Sequence, residues 1–313
     1  MNKISLYNSS SGVLFFPFFL LLIFFWLIPI FGGIEMSLYA DPPPFYYGEE
    51  TTKKFIGVKH YLNLLKDKTY WKALLNTTSY SLISISLIIP LAFLLAQGIL
   101  GSIKKFQMIL SFLLLIPAIT PPSVMATIFL IFFHGEKGFL NFFIITPLFE
   151  VLRNTGLEVF SDLPNYVNWQ KDPNYIMPSL IIQAVWRWTG FITLFMLIAI
   201  RNIPKNLEEV AELEGISWLK RNYLILIPMT KPVIIFSAIF LLIDFFSMFT
   251  GAYLLLGGSG GTDNAGLLFV SYVYQTGFTF HEFRKAAAIS LSILPPILFL
   301  LIVFFWYKRK DIS

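Results

Sequence analysis

The chain has 313 residues, 56% of them hydrophobic, and only 13% carry charge. A soluble domain has roughly 25% charged residues, and 34 phenylalanines leave too much apolar surface for water to accept. No cysteine is present, which excludes disulfides, thiolate nucleophiles and cysteine-bound metals. The net charge of +5 comes from cations placed at the ends of apolar runs, as in membrane flanks, and does not indicate a nucleic-acid surface.

A helix crossing a bilayer core needs roughly 20 apolar residues. Six stretches meet that demand: 13–34, 79–97, 108–133, 179–200, 232–256 and 286–307. The sequence therefore predicts an all-α, polytopic membrane protein with six transmembrane helices, because lipid leaves backbone amides no partner outside their own helix. The first run is longer than a signal-peptide core and no small-x-small site follows it, so it is read as a retained span. Prolines at Pro90, Pro117, Pro121, Pro122, Pro295 and Pro296 predict kinks, compatible with either a cavity or simple packing. Residues 1–78 are expected to form a first span and an outer loop, 79–307 the core, and 308–313 a cytoplasmic tail.

The loops are unequal. Residues 35–78 and 134–178 are long, and Asp41 opens a Pro42-Pro43-Pro44 run. Lys59–Leu75 alternates lysines with Tyr61, Leu62, Leu65, Tyr70 and Trp71, which predicts a short helix lying at the membrane surface. Lysine and arginine divide evenly between the two sides of the membrane. The denser and less acidic side is the one bearing Lys104, Lys105, Arg201 and Lys308–Lys310, so both termini are expected in the cytoplasm.

One hydrophilic interruption, between the fourth and fifth runs, is more than a connector. Residues 201–232 read as two short helices: Pro204 starts the first, acids crowd its N-terminal half and Gly215 ends it. Ser217 is placed to cap the second and Pro228 to close it. Leu207, Val210 and Ala211 form an apolar face opposite the glutamates, a shape suited to a groove on a soluble partner.

Here the sequence resembles a known family. Glu209-Val210-Ala211, Gly215 and Ile225-Leu226-Ile227-Pro228 are similar to the coupling motif of ATP-binding-cassette importer permeases, with Val210 replacing the usual first alanine. Further matches are Val185–Phe191, Leu197–Pro204, Leu255–Thr262, Tyr272–Tyr274 with Ala286–Ala288, Phe55–Tyr61 and Trp71–Thr77. The likeness covers about residues 14–307 and points to the sugar-importing branch, in the subunit class of the first permease of maltose- and glycerol-phosphate-type importers. It implies no cofactor and several partners: two ATPase subunits, a second permease, an extracellular or periplasmic solute-binding protein, a sugar or sugar derivative, and membrane lipid. It also implies a bacterial cell-membrane location. In agreement, no Gly-x-x-x-x-Gly-Lys-Ser/Thr run exists. Gly257, Gly258, Gly260 and Gly261 read as a turn.

Asp244 lies within an apolar run, at a cost of roughly 2.5–3.5 kcal/mol if it faced lipid, so it is expected to point inward. Counting from the outer glycines, the resemblance places Asp244 and Ser247 on the substrate path, with Arg187 and Trp188 as partners. Counting from Pro228 gives Phe245 and Met248 instead. A purely structural Asp244–Arg187 pair is the alternative to ligand contact. His60, His134 and His281 lack metal-ligand spacing and read as structural. A secondary transporter using Asp244 as a cation site would leave the 201–232 segment unexplained, and a membrane enzyme would lack a catalytic cluster.

Overall fold

The computed structural model describes residues 15–42, 54–157, 159, 161 and 163–295. Among these the regular structure is helical, and one isolated bridge between Tyr39 and Phe55 is the β pairing recorded. In chain order the helices are α1 (Phe15–Ser37), α2 (Lys59–Leu64), α3 (Lys68–Leu100), α4 (Lys104–Ile119), α5 (Pro122–Phe132), α6 (Thr146–Asn154), α7 (Pro173–Arg201), α8 (Lys205–Leu213), α9 (Trp218–Phe246), α10 (Thr250–Leu255), α11 (Phe269–Tyr274) and α12 (Phe283–Ser292). Four of them, α1, α3, α7 and α9, are long and apolar enough to cross a membrane, and the bent pair α4–α5 makes a fifth if it is one span. The predicted run 286–307 begins in α12 and then passes outside the described residues.

The chain divides into two compact units. The larger, residues 72–271, is organised around α7. Every fourth residue of that helix from Ile176 to Ile200 (Ile176, Leu180, Ala184, Trp188, Ile192, Met196 and Ile200) is buried, a stripe of one face at helical spacing. α4 and α9 both pack on α7. In α3, the buried side carries small residues, among them Ala73, Ser81, Ser84, Ala92 and Ala96, which let helices approach closely, beside the large Tyr80, Ile88 and Phe93. Its other side exposes Leu82, Leu87, Leu91 and Leu94, the surface that hydrocarbon would cover. The glycine-rich segment after α10 is a turn, as expected. Gly257, Gly258, Gly260 and Gly261 all have positive φ, and Asn76 and Thr77 of α3 hold its exit. The Asn76 side chain donates to the Asn264 and Leu267 carbonyls, and the Phe269 amide donates to Thr77 Oγ1 at 2.8 Å.

Three expected elements differ. The span predicted over 108–133 is two helices meeting at 97°. Thr120 (ψ 128°) and Pro121 (ψ 138°) are extended, because a residue followed by proline is pushed out of the helical region, and here two prolines follow in series. The span predicted over 232–256 instead starts at Trp218 and ends at Phe246. Ser247, Met248 and Phe249 interrupt it before α10. Pro228 does not close a short helix: a π-helical turn over Asn222–Leu226 widens the helix just before it, and Pro228 sits in the first turn of the continuing segment, where its missing N–H costs little.

The smaller unit combines the chain up to Trp71 with the chain from Tyr272 onward. The surface helix expected over Lys59–Leu75 is broken at Asp67. The carboxylate of Asp67 accepts from the amides of Thr69 and Tyr70 and so starts α3 anew, which then runs for 33 residues, about 50 Å. Residue 78, the expected end of the N-terminal segment, lies inside that helix. Burial opposes the charge on Asp67, but the Tyr272 hydroxyl at 2.6 Å, the two amides and Lys285 outweigh it and hold its carboxyl below the usual carboxylate range. α12 packs against the Ile28–Ser37 part of α1 and against α2. Its first amides are capped from far away in sequence: Arg284 N–H donates to Asp41 Oδ1 at 2.7 Å and Lys285 N–H to Asp41 Oδ2 at 3.0 Å, while the Arg284 side chain donates to the Ala40 carbonyl. His60 bonds the Tyr39 carbonyl through Nε2 at 2.9 Å, a structural role.

The α4–α7 contact depends on Gly190. A Cβ there would lie 1.9 Å from the Leu114 carbonyl oxygen, so backbone has to move to admit it. Gly190→Ala is expected to destabilise by about 1–3 kcal/mol, seen as a lower melting temperature in detergent. Gly98→Ala, whose Cβ meets nothing within 4 Å, is the control and should melt at or slightly above the wild-type temperature. Equal melting of the two variants would show that the close approach is not maintained.

Candidate functional site

Two places in the larger unit hold the residues that the sequence singled out. The first is a small cavity of about 130 Å³ where the two helix breaks face α7. Pro122 and Met125 of α5 line it from one side, and Ser247, Met248 and Gly251 around the α9–α10 break line it from another. Asp244, in the last turn of α9, points into it as expected for a carboxylate kept from lipid. Its Oδ2 accepts from Trp188 Nε1 at 2.8 Å. Phe245, the residue one register later, is buried and packs its ring at 5.0 Å from Tyr80, so it belongs to the core. Met248 does line the cavity, beside Ser247, whose hydroxyl is committed to the Ile243 carbonyl at 2.9 Å.

Arg187 does not pair with Asp244 among the described residues. It donates through Nη1 to the Thr120 carbonyl at 3.4 Å, with Met125 Sδ at 3.8 Å, and its guanidinium carbon lies 5.2 Å from the centre of the Trp188 ring. A cation over an indole face is attracted by the ring's negative quadrupole. The three side chains thus form a relay. Arg187 caps the carbonyl that the Pro121 break released, Trp188 lies beneath the guanidinium, and the indole N–H holds Asp244. The aromatic wall continues through Phe240 and Phe191, at 5.2 and 5.6 Å from the Trp188 ring.

Two residues here escaped the sequence reading. Tyr80 of α3 lines the cavity with 1% of its surface exposed. Gln183 lies one turn before Arg187 on α7, fully buried, and neither its amide oxygen nor its nitrogen has a hydrogen-bond partner among the described residues. Its Oε1 lies just behind Gly251, where a Cβ would come within 2.8 Å. The i, i+4 spacing of Gln183 and Arg187 was the available signal, since it puts two long polar side chains on one face of an otherwise apolar helix.

The second place is the hydrophilic segment. α8 is a nine-residue helix starting after Pro204 and ending in a left-handed glycine, Gly215 at φ 62°. The Ile216 amide bonds the Ala211 carbonyl at 3.0 Å and the Gly215 amide bonds the Glu212 carbonyl at 3.1 Å, the pair that defines a Schellman ending. Ser217 occupies the N-cap position of α9, as expected, but its side chain makes no capping bond. Arg221 of α9 and Glu208 of α8 pair at 2.8 Å and fix the angle between the two helices. Ala211 is buried, while Glu209 and Val210 are exposed. Val210 at 52%, Leu213 at 87% and Trp218 at 52% exposure present an uncovered apolar surface. Ile225 is half-buried against the core and Pro228 is exposed.

The model of a family described as "Binding-protein-dependent transport system inner membrane component" matches residues 88–311. The arabinooligosaccharides transport system permease protein AraP of Bacillus subtilis is 32% identical over 283 residues, covering 90% of this chain and 83% of AraP. The lactose transport system permease protein LacF of Rhizobium radiobacter is 27% identical, over 97% of this chain and 96% of LacF. Among solved structures, a bacterial transporter involved in the import of the acidic polysaccharide alginate superposes with a TM-score of 0.70 at 18% identity, covering 99% of this chain and 97% of its own.

Proposed function

The chain belongs to the family of binding-protein-dependent transport system inner membrane components, and we propose that it is the sugar-translocating permease subunit of an ATP-binding-cassette importer. It is a multi-pass membrane protein whose solute, a sugar or short oligosaccharide, is delivered by an extracellular or periplasmic binding protein. The named relatives with arabinooligosaccharide and lactose substrates support that solute class. ATP is hydrolysed by two separate subunits, and a second permease completes the pathway. The observation that carries this reading is α8: an amphipathic helix ended by Gly215, with Val210, Leu213 and Trp218 uncovered, inside the family-matched segment. A helix of that kind docks its apolar face into a groove, and Glu209, Val210, Ala211 and Gly215 are the residues assigned to the ATPase contact. Ile225 and Pro228 transmit its movement, because they lie on the continuous helix that runs from the docking element to Asp244.

On the solute side, Asp244, Trp188, Arg187 and Ser247 form the path, joined by Tyr80 and Gln183. The cavity, about 130 Å³, is well below the roughly 300–1,000 Å³ of ligand pockets, so the site binds a sugar after the helix breaks have moved apart. Carboxylate, amide and guanidinium groups beside aromatic rings suit a ligand with hydroxyls on its edges and C–H groups on its faces.

The membrane arrangement completes the proposal. Six spans cross the bilayer, the sixth being 286–307, and both termini and α8 lie in the cytoplasm. Reporter fusions after Gly48 and after Lys310 are expected on opposite sides of the membrane, and finding both on one side overturns it. For the path, Asp244→Asn keeps the shape and removes the charge. Uptake of labelled oligosaccharides should fall about tenfold or more, the loss of one charge-assisted hydrogen bond of roughly 1.5–3 kcal/mol, with membrane levels unchanged. Wild-type uptake kinetics in that variant would remove Asp244 from the path. For the coupling element, Gly215→Val forces a β-branched residue into the left-handed region at about 1–2 kcal/mol, whereas asparagine tolerates it. The valine variant is expected to insert normally but to lose solute-stimulated ATP hydrolysis in proteoliposomes, and Gly215→Asn to retain it. If both hydrolyse at the wild-type rate, α8 is not the coupling element.

A further inference from the structure

The start of α4 and the end of α7 meet beside the coupling segment, and the surface they form is not explained by solute passage. Leu100, Lys104, Gln107, Met108, Ser111 and Arg201 line an open cavity of about 640 Å³ there. Gln107 is fully engaged: its oxygen accepts from Arg201 Nη2, and its nitrogen donates to the Ser102 carbonyl at 2.8 Å and the Leu100 carbonyl at 3.2 Å. That amide fixes the position of Arg201 without neutralising it. Among the described residues neither Lys104 nor Arg201 makes an ion pair, and no carboxylate lines the cavity. Two cations and a serine hydroxyl therefore face a space large enough for a phosphate.

What lies beyond the cavity narrows the ligand. From Met108 the surface continues along α4 through Phe112, Ile116 and Ile119, exposed by 72%, 67%, 41% and 67%. The spacing i, i+4, i+8, i+11 makes one stripe on one face. From Met108 to Ile119 the helix rises about 16 Å, and one leaflet of a bilayer is about 15 Å of hydrocarbon, half of a ~30 Å core. The stripe ends where α4 ends, at the Thr120–Pro121 break. A polar, doubly cationic head and an apolar strip one leaflet long match an amphiphile, not a free anion.

We propose that this notch is a binding site for an anionic glycerophospholipid of the leaflet on the α8 side, with its phosphate between Lys104 and Arg201 and an acyl chain along Met108, Phe112, Ile116 and Ile119. Basic pockets between membrane helices hold lipid headgroups in this way. The site needs only that α4 and α7 lie in the bilayer, and does not depend on which solute is carried.

The test is native mass spectrometry of the full-length chain, purified in neutral detergent with the subunits it retains, titrated with phosphatidylglycerol or phosphatidylcholine. One phosphatidylglycerol is expected to bind in preference to phosphatidylcholine. The double variant Lys104→Gln, Arg201→Gln should weaken it about thirtyfold, two cations at roughly fivefold each, while Lys59→Gln with Lys66→Gln leaves it unchanged. Ser111→Trp fills the cavity at constant charge and should weaken binding as well, which keeps the test decisive if the double variant does not assemble. Equal affinity for the two lipids, or unchanged binding in both cavity variants, overturns the proposal. Displacement of the lipid by excess inorganic phosphate would make this a free-anion site, and photo-cross-linking from position 112 to another protein chain instead of to lipid would make the stripe a subunit interface. Either result also overturns it.

Discussion

Hydrocarbon offers no hydrogen bonds, so a chain in a bilayer can leave the helical conformation only where protein, not lipid, receives the released backbone groups. That constraint accounts for the placement of the irregular backbone in the larger unit. Its α4–α5 and α9–α10 breaks both border the cavity lined by Arg187, Trp188 and Asp244. The Thr120 carbonyl freed at the first break accepts from Arg187, and the Ser247 amide at the second still bonds the Ile243 and Asp244 carbonyls. A cavity bordered by two breaks is also deformable. The breaks place a few non-helical residues at its border, apart from the packed stripe of α7. The polar relay and the two helix breaks thus share one cavity.

Much of this was legible in the sequence, because membrane helices are written in long apolar runs and the 201–232 segment is polar where its surroundings are not. The left-handed ending at Gly215 followed from a glycine after an amphipathic run, and Asp244 was found because a carboxylate in an apolar helix needs a reason. Helix ends were harder. Nothing in the composition of 68–75 separates a surface helix from the N-terminal extension of α3, since the deciding feature is one carboxylate, Asp67, accepting two amides. Pro228 looked like a stop because a proline removes a backbone donor. The π turn before it, which lets the helix continue, leaves no mark in residue types. The resemblance gave the register at Asp244 only to within one residue; in the structure Phe245 is buried against Tyr80, while Asp244, Ser247 and Met248 all line the cavity.

Gln183 shows the other limit. A glutamine in an apolar helix is a weaker signal than an aspartate, since an amide is cheaper to bury than a charge, and that it has no hydrogen-bond partner among the described residues is a property of its surroundings. The same holds for Lys104 and Arg201. As single residues they are ordinary membrane-flanking cations, and only the helix pairing that brings residues 104 and 201 to one cavity gives them a common surface.

The cap on α12 has a consequence for how the protein is made. Asp41 and Arg284 are 243 residues apart, yet the carboxylate of one satisfies the amide of the other. At ribosomal speeds of about 5–20 residues per second, roughly 12 to 50 s separate the synthesis of the two partners. During that interval Asp41 has only the nearby His60, 3.8 Å away, to face, and the helix start it will cap does not yet exist. Contacts within the N-terminal part, such as His60 to the Tyr39 carbonyl, can form early, but assembly of the smaller unit is completed only when the last part of the chain emerges. A ribosome that stalls between these positions leaves the first helix in the membrane without its eventual packing partner, in a form that quality-control proteases can recognise.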